Sequence, residues 1–172
     1  GQIERFVPEG IRLNNGETLS ADVIVTATGF NLNVLGDIAF YVDSKPLNFS
    51  SSVTWRGAMF TGLPNLLWVF GYFRASWTLR VDLLADFFCK LLNHMDKNAL
   101  SSVVPKLRQE EEGMTLSPWV KPDNFNPGYL ARSMHQLPSQ GDRPPWLHQQ
   151  DYSIDKNELP VVAFDDGTLI FN

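Results

Sequence analysis

With 172 residues, 44% of them hydrophobic and 19% charged, the chain is long enough to bury a core and has the composition of a folded domain. Its net charge of −5, with no clustering of basic residues, argues against a nucleic-acid surface, and a single cysteine, Cys89, excludes an internal disulfide and fits a reducing compartment. The most apolar run, Leu63 to Phe73, is too short to span a bilayer, so the expectation is a soluble, cytoplasmic protein.

The opening GQIERFVPEG starts as a strand with no cap or apolar leader before it, and reads as the beginning of a piece cut from a longer chain. In GIRLNNGETLS, Ile11 and Leu13 alternate with polar neighbours, and Asn15-Gly16 offers two positive-φ positions for a tight hairpin turn. VIVTA, Val23 to Ala27, is a β-branched run of the kind a strand buried on both faces requires. It stops at Thr28-Gly29, and the end of a buried strand is where open α/β sheets keep their ligand crevice.

Asn31 to Arg56 is punctuated by Asp, Ser and Pro and reads as loop. A second buried strand is expected over Leu66 to Phe70, closed by Gly71. The helix that follows, about Thr78 to Met95, places Leu84, Phe87, Phe88, Leu91, Leu92 and Met95 on one wide apolar face, with Cys89 packed in its apolar body. Asp86 and Lys90 are ordered for an i,i+4 pair on the wet stripe, and Ser76 or Thr78 is the natural N-cap. Beyond it, SSVVPKLRQEEEGM reads as an extended segment ending in a solvated acidic edge, Glu110 to Glu112. Asn126 and Pro127 open a short helix, SQGDRPPW is a rigid loop, and Asp166-Gly167 is expected to turn VVAF into TLIF as a terminal hairpin.

The catalytic inventory is thin. His94, His135 and His148 follow no metal-ligand spacing and read as surface or packing residues. There is no nucleophile elbow, phosphate-binding loop, zinc-protease motif or dinucleotide glycine fingerprint, and Asp165 and Asp166 fit a turn better than a catalytic pair. Two features stand out: the run ending in ATGF, Ala27 to Phe30, and the strand–Gly71–loop–helix unit. A helix N-terminus carries free N–H groups and partial positive charge, which suits electron-rich oxygens such as a flavin's carbonyls. Ordinary sheet and helix packing would use the same elements.

At these residues a family resemblance enters. GETLSADVIVTATGF resembles the segment that closes the NADPH-binding domain of flavin-containing and Baeyer–Villiger-type (class B) monooxygenases. FTGLPNLLWVFGYFRASWTLRVDLLADFFCKLLNHM is similar to the returning strand and long helix of their FAD domain. FNPGYLARSMHQLPSQGDRPPW and YSIDKNELPVVAFDDGTLIF resemble the C-terminal part of the ethionamide-activating subgroup. Where many relatives have Gly-Pro after the strand, this chain has Gly71-Tyr72-Phe73-Arg74.

The resemblance implies an α/β fold: the C-terminal fragment of a flavoprotein with two dinucleotide-binding domains, built from a β-hairpin, buried strands and one long amphipathic helix. Residues 1–30 would end the NADPH-binding domain, 31–59 form a return linker, 60–98 belong to the FAD-binding domain and 99–172 form a C-terminal extension with a short helix and terminal hairpin. It implies cofactor-facing roles for Thr28 and Gly29 and for Ser76, Trp77, Thr78, Leu79, Arg80 and Val81, with no catalytic or metal-ligating residue in this chain. Arg74 and Arg80 fit a NADPH phosphate or pocket carboxylate, but a surface or inter-domain salt bridge is the preferred reading. The intact enzyme would use FAD and NADPH to insert one oxygen atom of O2 into a ketone or a soft heteroatom such as sulfur. The glycine clamps for both dinucleotides are absent here, so this chain alone would bind neither and be inactive. Its partners would be the N-terminal FAD and NADPH portions of the same protein and a small-molecule substrate, with self-association through exposed apolar surface. A non-catalytic α/β binding or regulatory module is the alternative reading.

Overall fold

The computed structural model describes residues 1–29, 31–32, 34–121, 123 and 127–172. It divides into two compact units, Gly1–Phe30 and Asn31–Asn172.

The first unit is an antiparallel meander of β1 (Ile3–Val7), β2 (Gly10–Leu13) and β3 (Thr18–Ser20), in that order. The turn between β2 and β3 is longer than a two-residue hairpin. The Gly16 N–H donates to the Leu13 carbonyl at 2.9 Å and the Leu13 N–H to the Glu17 carbonyl at 2.8 Å. Of Asn15 and Gly16 only Gly16, at φ 87°, adopts the left-handed conformation, so the expected pair of positive-φ positions becomes one. The expected strand over Val23–Ala27 is not formed. A strand exists only by pairing, no described strand of the unit pairs with this run, and Val23 and Val25 stand 77% and 80% exposed.

The second unit carries short paired strands around one long helix. A two-residue ladder joins β4 (Tyr41–Val42) to β5 (Lys45–Pro46), within the segment expected to be loop. The hairpin of β6 (Thr54–Trp55) and β7 (Met59–Phe60) follows. The expected strand over Leu66–Phe70 has no regular structure: its apolar residues pack by side chain, as aromatic contacts, instead of joining a ladder. Then comes α1 (Trp77–Lys97), which agrees with the periodicity; at 1.5 Å per residue it is roughly 30 Å long.

Its buried side is narrower than the apolar face in the sequence. Arg80, Leu84, Phe87 and Leu91 are buried, whereas Phe88 and Leu92 remain 40% and 46% exposed. Cys89 is exposed rather than packed. Lys90 does not pair with Asp86; its ammonium donates to the carbonyls of Pro160 and Val162, both at 3.0 Å.

After α1, β8 (Val103–Pro105) pairs antiparallel with the last strand, β11 (Leu169–Phe171). VVAF is therefore not the partner of TLIF, although Asp166 and Gly167 do make a turn: the Asp166 carboxylate accepts the Thr168 N–H at 2.9 Å, and Gly167 has φ 81°. The acidic run is not wholly solvated either. Glu111 is buried and accepts from the Arg108 guanidinium at 2.6 Å. β9 (Ser117–Pro118) pairs with β10 (Ser139–Gln140), with α2 (Gly128–Ser133) between them; Asn126, its expected cap, lies outside the described residues. The tail contains α3 (Tyr152–Glu158), whose Asp151 cap accepts the Ser153 N–H at 2.7 Å.

The main core sits where α1 covers the β6–β7 hairpin, β8, β11 and the segment after α3, around Trp55, Met59, Leu84, Phe87, Leu91 and Trp146. The Trp55 indole N–H is satisfied inside it by the Thr168 hydroxyl at 2.9 Å. A second core gathers Trp119, Val120, Leu130 and Leu137. Among the described residues no helix is long and apolar enough to cross a membrane.

Candidate functional site

The first turn of α1 is the site candidate. Ser76, Trp77, Thr78 and Val81 are exposed, Leu79 is half-buried and Arg80 is buried. Ser76 stands at the N-cap, yet its hydroxyl does not cap the helix; it lies 2.8 Å from the Thr78 hydroxyl. No acidic residue sits in the first turn. An ordinary helix start is neutralised by a capping oxygen or a nearby carboxylate, and here neither side-chain device is used. The end of α1 thus keeps its N–H donors and partial positive charge available to an external acceptor.

The chain reaches this turn through Gly71, and the residue type is forced by packing. A Cβ at Gly71 would lie 2.4 Å from ring atoms of Trp77, so only glycine lets the loop fold back on the helix start. The Trp77 ring also lies 4.6 Å from Phe70, which packs edge-on against Trp119 at 4.7 Å. Together with Leu32, Trp68 and Leu137 these rings line an apolar cavity of about 280 Å³ beside the helix start.

Beneath the turn lies a buried polar network. The Arg80 guanidinium forms an ion pair with Asp155 of α3 and donates to the Arg56 carbonyl at 2.7 Å. The Tyr72 hydroxyl donates to the same Asp155 oxygen at 2.7 Å. Burial, and then the Asp155 carboxylate accepting its proton, push the Tyr72 hydroxyl well above its ordinary value, so it stays a donor at any physiological pH. Arg80 is therefore held by a buried carboxylate of its own unit, neither at the surface nor between domains as the salt-bridge expectation had it, while the Arg74 guanidinium reaches the Asp123 carbonyl at 3.1 Å.

A second buried group supports the loop itself. The Gln150 amide accepts the Phe73 N–H at 2.7 Å and donates to the Gly71 carbonyl at 3.0 Å. His148 is buried, stacks on Trp119 with ring centroids 4.6 Å apart, and places Nε2 2.9 Å from the Gln150 amide nitrogen. Burial, and secondarily the charge of Arg80, hold the His148 imidazole well below its usual range, so it is neutral and can accept at Nε2.

Of the residues singled out from sequence, Ser76 to Val81 lie together at the start of α1. Thr28 and Gly29 belong to the first unit, exposed and without regular structure, and Phe30 lies outside the described residues. Tyr72, Gln150 and Asp155 were missed. Among the described residues no group of His, Cys, Asp or Glu is arranged to hold a metal ion.

Comparison with known proteins adds a relationship. The chain is 40% identical over 171 residues to the probable FAD-binding monooxygenase AlmA of Acinetobacter baylyi, covering 99% of this chain and 34% of that protein. It is 40% identical over 169 residues to the FAD-containing monooxygenase EthA of Mycobacterium tuberculosis, covering 98% and 34%, and 36% identical over 173 residues to the putative FAD-containing monooxygenase MymA of the same organism, covering 99% and 34%. No family model matches. No solved structure matches. The chain spans about a third of the length of the curated relatives it matches. The resemblance read from its motifs is thus borne out: nearly all of the chain is related to part of an FAD-containing monooxygenase.

Proposed function

We propose that this relative of FAD-containing monooxygenases is the C-terminal portion of a class B flavoprotein monooxygenase, and that the first turn of α1 faces the flavin. One observation carries the reading: in a chain related to these enzymes along 98–99% of its length, α1 begins exposed, without a side-chain cap and without a first-turn carboxylate. The donor set fits the pyrimidine edge of a flavin, whose carbonyl oxygens take up N–H donors and gain negative charge on reduction.

In the intact enzyme FAD, reduced by NADPH, would supply the activation of O2 for transfer of one oxygen atom to a ketone or a soft heteroatom such as sulfur. The part of this chain is positional. Backbone N–H groups of Trp77 to Leu79 offer donors to the cofactor edge, Trp77 closes one side by shape, and the aromatic wall of Phe70 and Trp119 keeps water from the space beside it. Thr28 and Gly29 would be the cofactor-facing residues of the NADPH-binding part. The partners are the remaining portions of the same protein, and a cytoplasmic location belongs to the same reading. Val23 and Val25 in one unit, and Phe88 and Leu92 in the other, are exposed apolar side chains suited to that covering, and without it the chain would self-associate.

The test is enzymatic. A reading frame continuous with this chain should carry two dinucleotide glycine fingerprints, and its product should hold FAD and oxidise NADPH in response to members of a ketone and sulfide panel. The chain alone should show neither flavin absorbance nor turnover. A colourless intact protein that leaves NADPH untouched, or a stoichiometrically yellow isolated chain, contradicts the proposal.

A further inference from the structure

The loop between Phe70 and α1 is held by side chains distant in sequence, and the manner of holding has a consequence for the cofactor-facing turn. The Gln150 amide accepts the Phe73 N–H and donates to the Gly71 carbonyl, so one side chain does for this loop what a neighbouring strand does for a ladder. Its second amide hydrogen is directed at His148 Nε2 at 2.9 Å. His148 is itself fixed: its backbone N–H donates to the Gln140 side chain at 3.1 Å, its ring stacks on Trp119, and a Cβ at Gly57 would lie 2.4 Å from that ring. Gln140 in turn donates to the carbonyls of Pro118 and Trp119 at 2.8 and 2.9 Å.

Gln150 adopts φ 52°, in the left-handed region that a non-glycine residue keeps only where its surroundings hold it. The hydrogen bonds on both ends of its amide are what holds it. The loop it grips then meets the site directly, because Gly71 packs with no room for a Cβ against Trp77, the first residue of α1.

We infer that Gln150 is a positioning residue: its amide latches Gly71 and Phe73, and through the Gly71–Trp77 contact sets the placement of the first turn of α1 against the flavin. This rests on the reading that the turn faces a flavin. The latch itself does not, and the two are separable by experiment.

The test uses the intact flavoprotein carrying this chain and the variant Gln150→Asn. Asparagine tolerates the left-handed conformation but is one methylene too short to reach both loop groups, so the change removes the latch without adding backbone strain. Amide exchange at Phe73, and at Arg80 and Val81 whose N–H groups close the first helical turn, is expected to quicken roughly 3- to 10-fold, the loss of one hydrogen bond's protection. FAD content should be unchanged, while the visible flavin bands and the reduction midpoint shift. Unchanged exchange overturns the latch. Faster exchange with flavin bands and midpoint identical to the parent protein leaves a purely structural latch and overturns the positioning role. An intact protein without flavin brings down the reading of the turn, and with it the positioning role, while exchange still decides the latch. Should Gln150→Asn fail to fold, Gln150→Glu keeps the acceptor for Phe73 and loses the donor for Gly71. Faster exchange at Arg80 and Val81 with Phe73 still protected is then expected, and parental exchange throughout overturns the inference.

Discussion

Replacing Asp155 by alanine isolates the strongest buried interaction beneath the helix start. Its carboxylate accepts from Arg80, whose side chain is 1% exposed, and from the Tyr72 hydroxyl at 2.7 Å. The substitution leaves a guanidinium buried with no counter-charge, a loss of about 3–5 kcal/mol. It also strips the Tyr72 hydroxyl of its acceptor, which adds about 1 kcal/mol. Together these reach the lower end of a small domain's whole stability, about 5–15 kcal/mol. Urea unfolding should therefore show a midpoint far below that of the parent protein at similar slope. The apolar triple variant Arg80→Met, Asp155→Leu, Tyr72→Phe removes every polar partner together and should regain most of the loss, because a buried ion pair stabilises little relative to well-packed hydrophobic groups of similar volume. An Asp155→Ala loss below about 1 kcal/mol would refute a desolvated pair. So would a triple variant as unstable as the single one.

Three further outcomes follow from the packing and the protonation states. Gly71→Ala places a methyl group 2.4 Å from the Trp77 ring and should cost about 1–3 kcal/mol of stability, with a change in tryptophan emission. Trp55→Phe deletes the indole donor to Thr168 inside the core and should lower stability by about 1–3 kcal/mol, read from the urea midpoint. His148 binds its proton less readily folded than unfolded, so the unfolded chain takes up the proton first: its contribution is complete above the ordinary value of 6.5 and is lost as pH falls below it, by up to about 1.4 kcal/mol per pH unit. A His148→Gln variant should flatten that part of the stability–pH curve, and a slope unchanged by the substitution would count against a buried neutral imidazole.

What the sequence made legible divides along physical lines. α1 was readable because its signal is local: apolar residues at three- and four-residue spacing determine a helix wherever it packs. The turn at Asp166-Gly167 was readable for the same reason. The expected strands at Val23–Ala27 and Leu66–Phe70 were not secured by β-branched and apolar composition, because strand formation depends on a partner that the run itself does not specify. α3 is short and weakly periodic; Asp151 with the Ser153 N–H was its one available signal. The network under the site was the least legible part. The carboxylate that holds Arg80 lies 75 residues away, and the groups that Gln150 grips lie 77 and 79 residues away. The exposed half of the α1 apolar face is the converse case, a pattern in the sequence that the described residues do not cover.

The most direct test of the central claim is amide exchange across Ser76–Val81 in the intact protein, compared between its FAD-loaded and FAD-free forms. If the first turn of α1 faces the flavin, loading FAD should slow exchange at the free N–H groups of that turn, while the far end of the helix around His94–Lys97 stays unchanged. Full FAD occupancy with no change at Ser76–Val81 would contradict the account.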